Sequence, residues 1–240
     1  MKLKYTTSPF LRLFFILAAL ALSGCQAARM AVPPGLEGHS DFLVCEGRND
    51  FKLSETFSFG PYEVYDVHRG WSNRFTWGIV FFQKSSARQK LEYSLRTPNG
   101  TVWRAQAVTG VVQKDVMGQV IGGDLTWGIG HKTSYVVRMG SDGSETPWTL
   151  NVAEGNSDTV LKGVFANGTT TYRVTGSHRL AGSSIPLVDP TGYIVSRRSR
   201  PVMAVDVLNA GSVHFASDLS PADREPLAAV AVALLLYKDL

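Results

Sequence analysis

Between Leu227 and Tyr237 the chain reads Leu-Ala-Ala-Val-Ala-Val-Ala-Leu-Leu-Leu-Tyr, without one charged side chain. A helix of that composition is apolar on every side, so no face of it can be left to water and it must be surrounded by protein or lipid. At roughly 1.5 Å per residue the run spans about 17 Å, well short of the roughly 30 Å hydrocarbon core of a bilayer. The protein interior is the expected place, and whatever precedes the helix has to enclose it. The start signals are in order: Ser220 can N-cap, Pro221 suits the first helical position, and Asp223 falls at N3 beside the positive end of the dipole. Pro226 lacks a backbone donor, so the regular part of the helix is expected to begin there.

From about Asp41 to Phe215 the chain reads as many short strands. In Tyr62–His68, Tyr62 and Val64 share one face, and the apolar phase then slips by one to Tyr65 and Val67, as a bulge would make it do. Phe75 to Phe82 is almost uniformly apolar and predicts a well-buried strand. Further runs lie at Leu91 to Leu95, Val102 to Val108, Ser134 to Arg138, Trp148 to Val152 and Val160 to Phe165, then at Thr170 to Val174, Tyr193 to Ser196, Val202 to Val207 and Ser212 to Ala216. Between them stand Asn99-Gly100, Asp142-Gly143, Asn167-Gly168 and Pro190-Thr191-Gly192; Asn-Gly and Asp-Gly supply the positive φ angles of type I′ hairpins. Asn99-Gly100-Thr101 and Asn167-Gly168-Thr169 also match the N-glycosylation pattern, but the turn reading suffices for both. Thr76-Trp77-Gly78-Ile79 recurs as Thr126-Trp127-Gly128-Ile129, a single shared tetrapeptide that coincidence explains. About a dozen strands and one terminal helix predict a mainly β chain, an antiparallel barrel or sandwich.

The N-terminus has a separate logic. Lys2, Lys4 and Arg12 precede an apolar stretch from Leu13 to Leu22, too short to span a membrane and followed at once by small residues. That layout is a secretory signal peptide. With Cys25 directly after Leu22-Ser23-Gly24, it resembles a bacterial lipoprotein signal, or lipobox. The resemblance implies removal of residues 1–24, diacylglycerol on Cys25 and a further acyl chain such as palmitate on the new amino group. Two or three chains at about 0.8 kcal/mol per buried methylene hold a protein on a membrane stably. Gln26 rather than Asp after the cysteine further implies sorting to the outer membrane, facing the periplasm, in Gram-negative cells. Residues 25–40, with Pro33-Pro34-Gly35 and a loose set of small and polar residues, are expected to be the lipidated N-terminus and a flexible tether. Residues 41–240 are expected to form one domain, of a size ordinary for a single β barrel.

Charge and cysteine content narrow the remaining classes. The net charge of +4 is partly a property of the signal: three of the 24 Lys and Arg lie in it and none of the 20 acids, leaving 21 against 20. Nothing argues for nucleic acid as a partner. With Cys25 acylated, Cys45 has no cysteine to pair with, and in Phe42-Leu43-Val44-Cys45 it reads as a small hydrophobe.

Many antiparallel strands closing on an all-apolar C-terminal helix is similar to the tubby C-terminal-like fold, shared with LURP-one-related proteins and phospholipid scramblases. Leu187 to Val195 carries the likeness, with Asp189 to Gly192 as the family's D-x-x-G turn before a strand. Gly211 to Phe215 before Leu227 to Leu236, and Phe57 to Tyr62 as an early strand and turn, add to it. The resemblance covers about Phe42 to Leu240 and implies a closed barrel of about a dozen strands around a central helix. Tubby-type members bind phosphoinositides through basic residues, but no stretch here aligns with that site, and fold alone does not transfer activity.

No nucleophile elbow, zinc-protease helix, phosphate-binding loop or Cys-x-x-Cys pair occurs. His39, His68, His131, His178 and His214 stand at no metal-ligand spacing, and no cofactor is implied. Cys45 with a distant histidine is a weaker reading than a core cysteine; Glu145, Glu154 and Asp158 read as solvated carboxylates near turns, and His214 as an exposed side chain between Val213 and Phe215. Two segments remain as contact surfaces. Arg197-Arg198-Ser199-Arg200 is the sharpest charge feature, either facing an anionic partner or forming a solvated strand end. Arg69, Trp71 and Arg74 mix aromatic and guanidinium groups in a loop, which suits a protein contact and equally a barrel rim. The expected function is therefore a non-enzymatic binding or assembly module, anchored through Cys25 to the membrane with an envelope protein as partner. A lipid- or headgroup-binding protein is the alternative, and an envelope enzyme with no recognisable motif is the third reading.

Overall fold

The computed structural model describes residues 27–48, 54–70, 89–109, 134–144, 146–154 and 161–237. Outside that set lie the expected lipobox Leu22-Ser23-Gly24-Cys25, Trp71, Arg74, the predicted strand 75–82, both copies of the repeated tetrapeptide, His131, Glu145 and Asp158.

Twelve strands among the described residues close into one antiparallel barrel: β1 (Ser40–Glu46), β2 (Ser54–Phe59), β3 (Tyr62–Arg69), β4 (Gln89–Arg96), β5 (Val102–Thr109), β6 (Ser134–Ser141), β7 (Trp148–Glu154), β8 (Leu161–Ala166), β9 (Thr171–Ser177), β10 (Gly192–Arg197), β11 (Arg200–Asp206) and β12 (Ser212–Ala216). Each strand pairs with its neighbours in sequence, and β1 meets β12 to close the ring (Ser40 opposite Ala216, Val44 opposite Ser212). Closure removes the two free edges of an open sheet, with the β1–β2 seam the shortest, in register at Cys45–Phe59 and Glu46–Ser58.

Alternation along the strands decides what faces inward. Trp103, Ala105 and Ala107 of β5 point inward, as do Tyr172 and Val174 of β9, Tyr193 and Val195 of β10, and Val213 and Phe215 of β12. In β3 the inward set is Tyr62, Val64 and Val67, three positions apart at the end rather than two. The extra residue is a bulge at Tyr65-Asp66, where the register against β4 shifts and Asp66 adopts φ 53°. Tyr65 stays on the outer surface, with the Arg96 guanidinium 5.0 Å above its ring, instead of joining Val67.

The helix α1 (Pro221–Tyr237) runs up the axis, and every residue from Pro226 to Leu236 is buried. A barrel this wide has an interior that wall side chains alone do not fill. Four alanines (228, 229, 231 and 233) keep the helix slim enough to sit among Tyr93, Tyr135, Phe165 and Phe215. The helix starts at Pro221, as the capping signals predict, and passes through Pro226 without a break, so its regular part does not wait for Pro226. Proline there forfeits one hydrogen bond in the second turn, and enclosure by the barrel outweighs it. The cap is reciprocal: the Ser220 hydroxyl accepts from the Asp223 amide at 3.1 Å and donates to the Asp223 carboxylate at 2.8 Å.

The turns depart from expectation. At Asn99-Gly100, Asp142-Gly143 and Asn167-Gly168 only the glycine takes positive φ (86°, 83° and 89°), so none is a type I′ turn, which needs both central residues there. The two-residue turn with both central φ positive is Arg198-Ser199, at 48° and 69°, between the paired Arg197 and Arg200.

The segment expected to be a loose tether is held on the barrel wall from Ala28 onward. Met30 and Leu36 are fully buried and pack with Ala204 and Ala216 on the outer face of β11 and β12. The Met30 amide donates to Asp206 Oδ2 at 2.9 Å, and Met30 bridges to Leu180. Gly35 lies against the Pro201 ring. Three apolar side chains, Met30, Val32 and Leu36, supply the burial that holds this strap down.

Candidate functional site

The topology gives the barrel two unlike ends. At one end, here the hairpin end, lie the β2–β3, β4–β5, β6–β7, β8–β9 and β10–β11 turns and the start of α1. At the other, the loop end, lie the tail of α1, the loop 178–191 between β9 and β10, and the 207–211 turn between β11 and β12. Strands β1, β3, β5 and β7 end there, and β2, β4, β6 and β8 begin there.

The basic run is at the hairpin end and is largely neutralised within the chain. Arg197 reaches Asp223 of the helix cap at 3.3 Å and lies 5.8 Å over the Tyr172 ring. The Tyr172 hydroxyl also meets Asp223, at 3.3 Å; burial first, and the Asp223 charge next, push that phenol up to about 12. Arg200 grips both oxygens of Asp218 at 2.8 Å, and this pairing holds the Asp218 carboxyl below its usual range. Neighbouring arginines follow suit: Arg224 with Asp41 at 2.7 Å, Arg96 with Glu63 at 2.6 Å, and Arg104 with Asp142. Glu225 accepts from Asn99 at 2.6 Å and from the Trp103 indole at 3.4 Å. Leaving aside the exposed Arg200–Asp218 pair, such half-exposed pairs are each worth only about 0–1 kcal/mol. Their arrangement is still specific, because Asp223 and Glu225 in the first two turns of α1 receive donors from the β4–β5 turn, β5, β9 and β10 and so centre the helix in the barrel. Arg198 is exposed at the tip of the strained turn.

Arg69 ends β3 at the loop end, partly buried, where its charge acts on the Tyr135 phenol. The structure therefore sets Arg69 and the group Arg197, Arg198 and Arg200 at opposite ends of the barrel; they do not form one surface. Above the top of α1, Tyr135 stacks on Tyr237 with centroids 4.4 Å apart, and Tyr193 approaches Tyr237 at 6.3 Å.

Among the described residues no group of three or more His, Cys, Asp or Glu is placed to hold a metal ion. Cys45 is a buried member of the core. His214 is half-buried on the outer face of β12 rather than freely exposed: its ring lies 4.7 Å from Phe42, with the Ser40 hydroxyl 3.4 Å from Nδ1. Burial, and then the charge of Arg29, hold its imidazole below the usual histidine range.

The loop end carries what the sequence reading missed. Ile185, Leu187 and Val188 are 72%, 42% and 85% exposed, a cluster of large apolar side chains on one described loop. Leu187 is fixed from both sides, its amide donating to His178 O at 2.8 Å while its carbonyl lies 3.1 Å from His178 Nδ1. The strap is hydrogen-bonded to the same loop: Ala181 N donates to Arg29 O and Ala31 N to Arg179 O, both at 2.9 Å. The run Ile185-Pro186-Leu187-Val188, flanked by Ser183-Ser184 and Asp189, was a readable signal, apolar but with no helical or strand period around it.

No protein-family model matches the chain, and no curated protein or solved structure is found to resemble it.

Proposed function

We propose that this chain is a bacterial lipoprotein, acylated on Cys25 and held at the periplasmic face of the outer membrane, whose tubby-like barrel serves as a non-enzymatic binding or assembly module. The observation that carries the second half is the filled interior: α1 occupies the barrel axis, and the Tyr93 and Tyr135 hydroxyls close on its carbonyls at 2.8 and 3.0 Å. A barrel packed in this way offers its ends and outer wall, not a cavity, for recognition. The first half rests on the signal Leu22-Ser23-Gly24-Cys25 and is supported by the seating of the strap, which leaves very little chain between acyl group and barrel. The alternative, a lipid-handling protein that receives an acyl chain inside the barrel, would require α1 to move out.

The test is purification of the tagged, full-length protein in mild detergent, with intact-mass analysis of its N-terminus and native mass spectrometry of whatever accompanies it. Acylation of Cys25 with a stoichiometric protein partner supports the reading. A stoichiometric lipid beyond the anchor shifts it to lipid handling, and an unmodified Cys25 in the mature protein removes it.

A further inference from the structure

We infer that the loop 183–188 is a membrane-contact element, and that the barrel stands on the bilayer with its loop end down. The inference rests on the proposed acylation of Cys25. Its first support is reach. Ala28 is pinned to the barrel, its carbonyl accepting from the Asn209 side chain at 2.7 Å, and Cys25 precedes it by three residues. An extended chain spans at most about 3.6 Å per residue, so Cys25 stays within roughly 11 Å of the loop end. That distance is comparable to the polar zone of one leaflet, roughly 5–8 Å deep outside the hydrocarbon. Once acyl chains enter the bilayer, the face around Ala28 cannot stand far above it.

The second support is independent of the anchor. Ile185, Leu187 and Val188 project into solvent from a loop whose shape is fixed by His178, and clustered exposed apolar side chains mark a surface that is covered in use. The strap and this loop are bonded through Arg29 and Ala181, so whatever holds one holds the other. Arg29 and Arg179 are exposed beside the loop and Asp189 is its acid, which leaves the apolar side chains to make the contact and calls for no particular headgroup charge. In this orientation the hairpin end, with Arg198 at its tip, points away from the membrane and is free for a partner.

The experiment uses the full-length lipidated protein in vesicles of phosphatidylethanolamine and phosphatidylglycerol, with a nitroxide on Val188→Cys or, as a reference at the hairpin end, on Thr169→Cys; the buried Cys45 does not react. Both positions are exposed, so both variants are expected to fold as the parent. The ratio of oxygen to aqueous nickel-chelate collisions should be several-fold higher at 188 than at 169. Equal, water-like ratios at both positions overturn the inference while leaving the anchor intact, provided intact mass shows acylated Cys25. Protection of 188 from both reagents means that protein covers the loop, and also overturns it. Absence of acylation removes the proposed function and this inference together, and intact mass identifies that case separately.

Discussion

The Tyr93 hydroxyl, on the barrel wall, donates to the carbonyl of Ala229 on the central helix at 2.8 Å, across 136 positions of sequence. Tyr135 does the same to Ala233 one helical turn further on, at 3.0 Å. Two phenols thus find acceptors inside an otherwise apolar core, and burial raises both well above the ordinary tyrosine range. These bonds fix the height and rotation of α1, which its near-uniform apolar surface cannot do, since any face of it would pack equally well.

Tyr93→Phe should therefore cost about 1 kcal/mol and no more, because the Ala229 carbonyl keeps its place in the helix ladder. Urea unfolding of the variant checks this. Ala231→Asp, by contrast, places an unpaired carboxylate in the core at a cost of several kcal/mol, comparable with the roughly 5–15 kcal/mol that holds a domain folded. That variant should fail to fold; an unchanged melting curve would show that the helix is not enclosed.

The turn Arg198-Ser199 holds two non-glycine residues at positive φ, where strain of about 1 kcal/mol or more per residue is usual. Replacing the pair with Asn-Gly, the natural occupants of such a turn, should relieve about 2 kcal/mol and raise the melting temperature by about 4–8 °C for a chain of this size. Thermal unfolding decides it. A lower melting temperature would mean that the Arg198 side chain contributes more than its turn costs.

Strap docking depends on Gly192 and Asp206. A Cβ on Gly192 would land on the Val205 carbonyl and the Met30 sulfur, so Gly192→Ala should cost about 1–3 kcal/mol and loosen residues 28–36. Asp206→Ala leaves the Met30 and Leu208 amides without their acceptor. Hydrogen exchange at Met30 and Leu208 should accelerate while the Tyr93 strand stays protected; unchanged exchange at both amides would contradict the latch.

His214 sets a pH dependence of definite sign. Its folded-state pKa is depressed by burial on the barrel wall, where Phe42 of β1 and Ala204 of β11 flank it, with Arg29 adding to the effect. As pH falls below the unfolded value of about 6.5, the unfolded chain takes up the proton first, so stability present above that pH is lost until the folded imidazole also titrates. Urea midpoints measured from neutral pH down through this window should fall for the parent and fall less for His214→Gln. Parallel curves would place the titration elsewhere.

Local patterning accounts for much of what could be read in advance. The all-apolar run 227–237 demanded an enclosure whatever its shape, and alternation in segments such as Tyr193–Ser196 and Ser212–Ala216 marked strands without knowledge of their partners. The bulge near Tyr65 was legible as a slip of phase, although its consequence for Tyr65 was not, because Arg96 on β4 is what caps that ring outside. Turn types were misread because Asn-Gly is compatible with several geometries, and the length of each hairpin, set by strand pairing, chooses among them.

The sequence by itself determined that an all-apolar helix near the C-terminus must be enclosed and that strands supply the enclosure. Those properties are local, fixed by periodicity and composition within a dozen residues. Only the tertiary structure decided that Arg197 and Arg200 are spent on Asp223 and Asp218, that Arg69 lies at the opposite end from them, and that Met30 and Leu36 clamp the supposed tether onto β11 and β12. Each of these depends on which surfaces meet when β1 closes on β12. The free energy of such meetings comes from area and charge brought together over long stretches of chain, and no local pattern carries it.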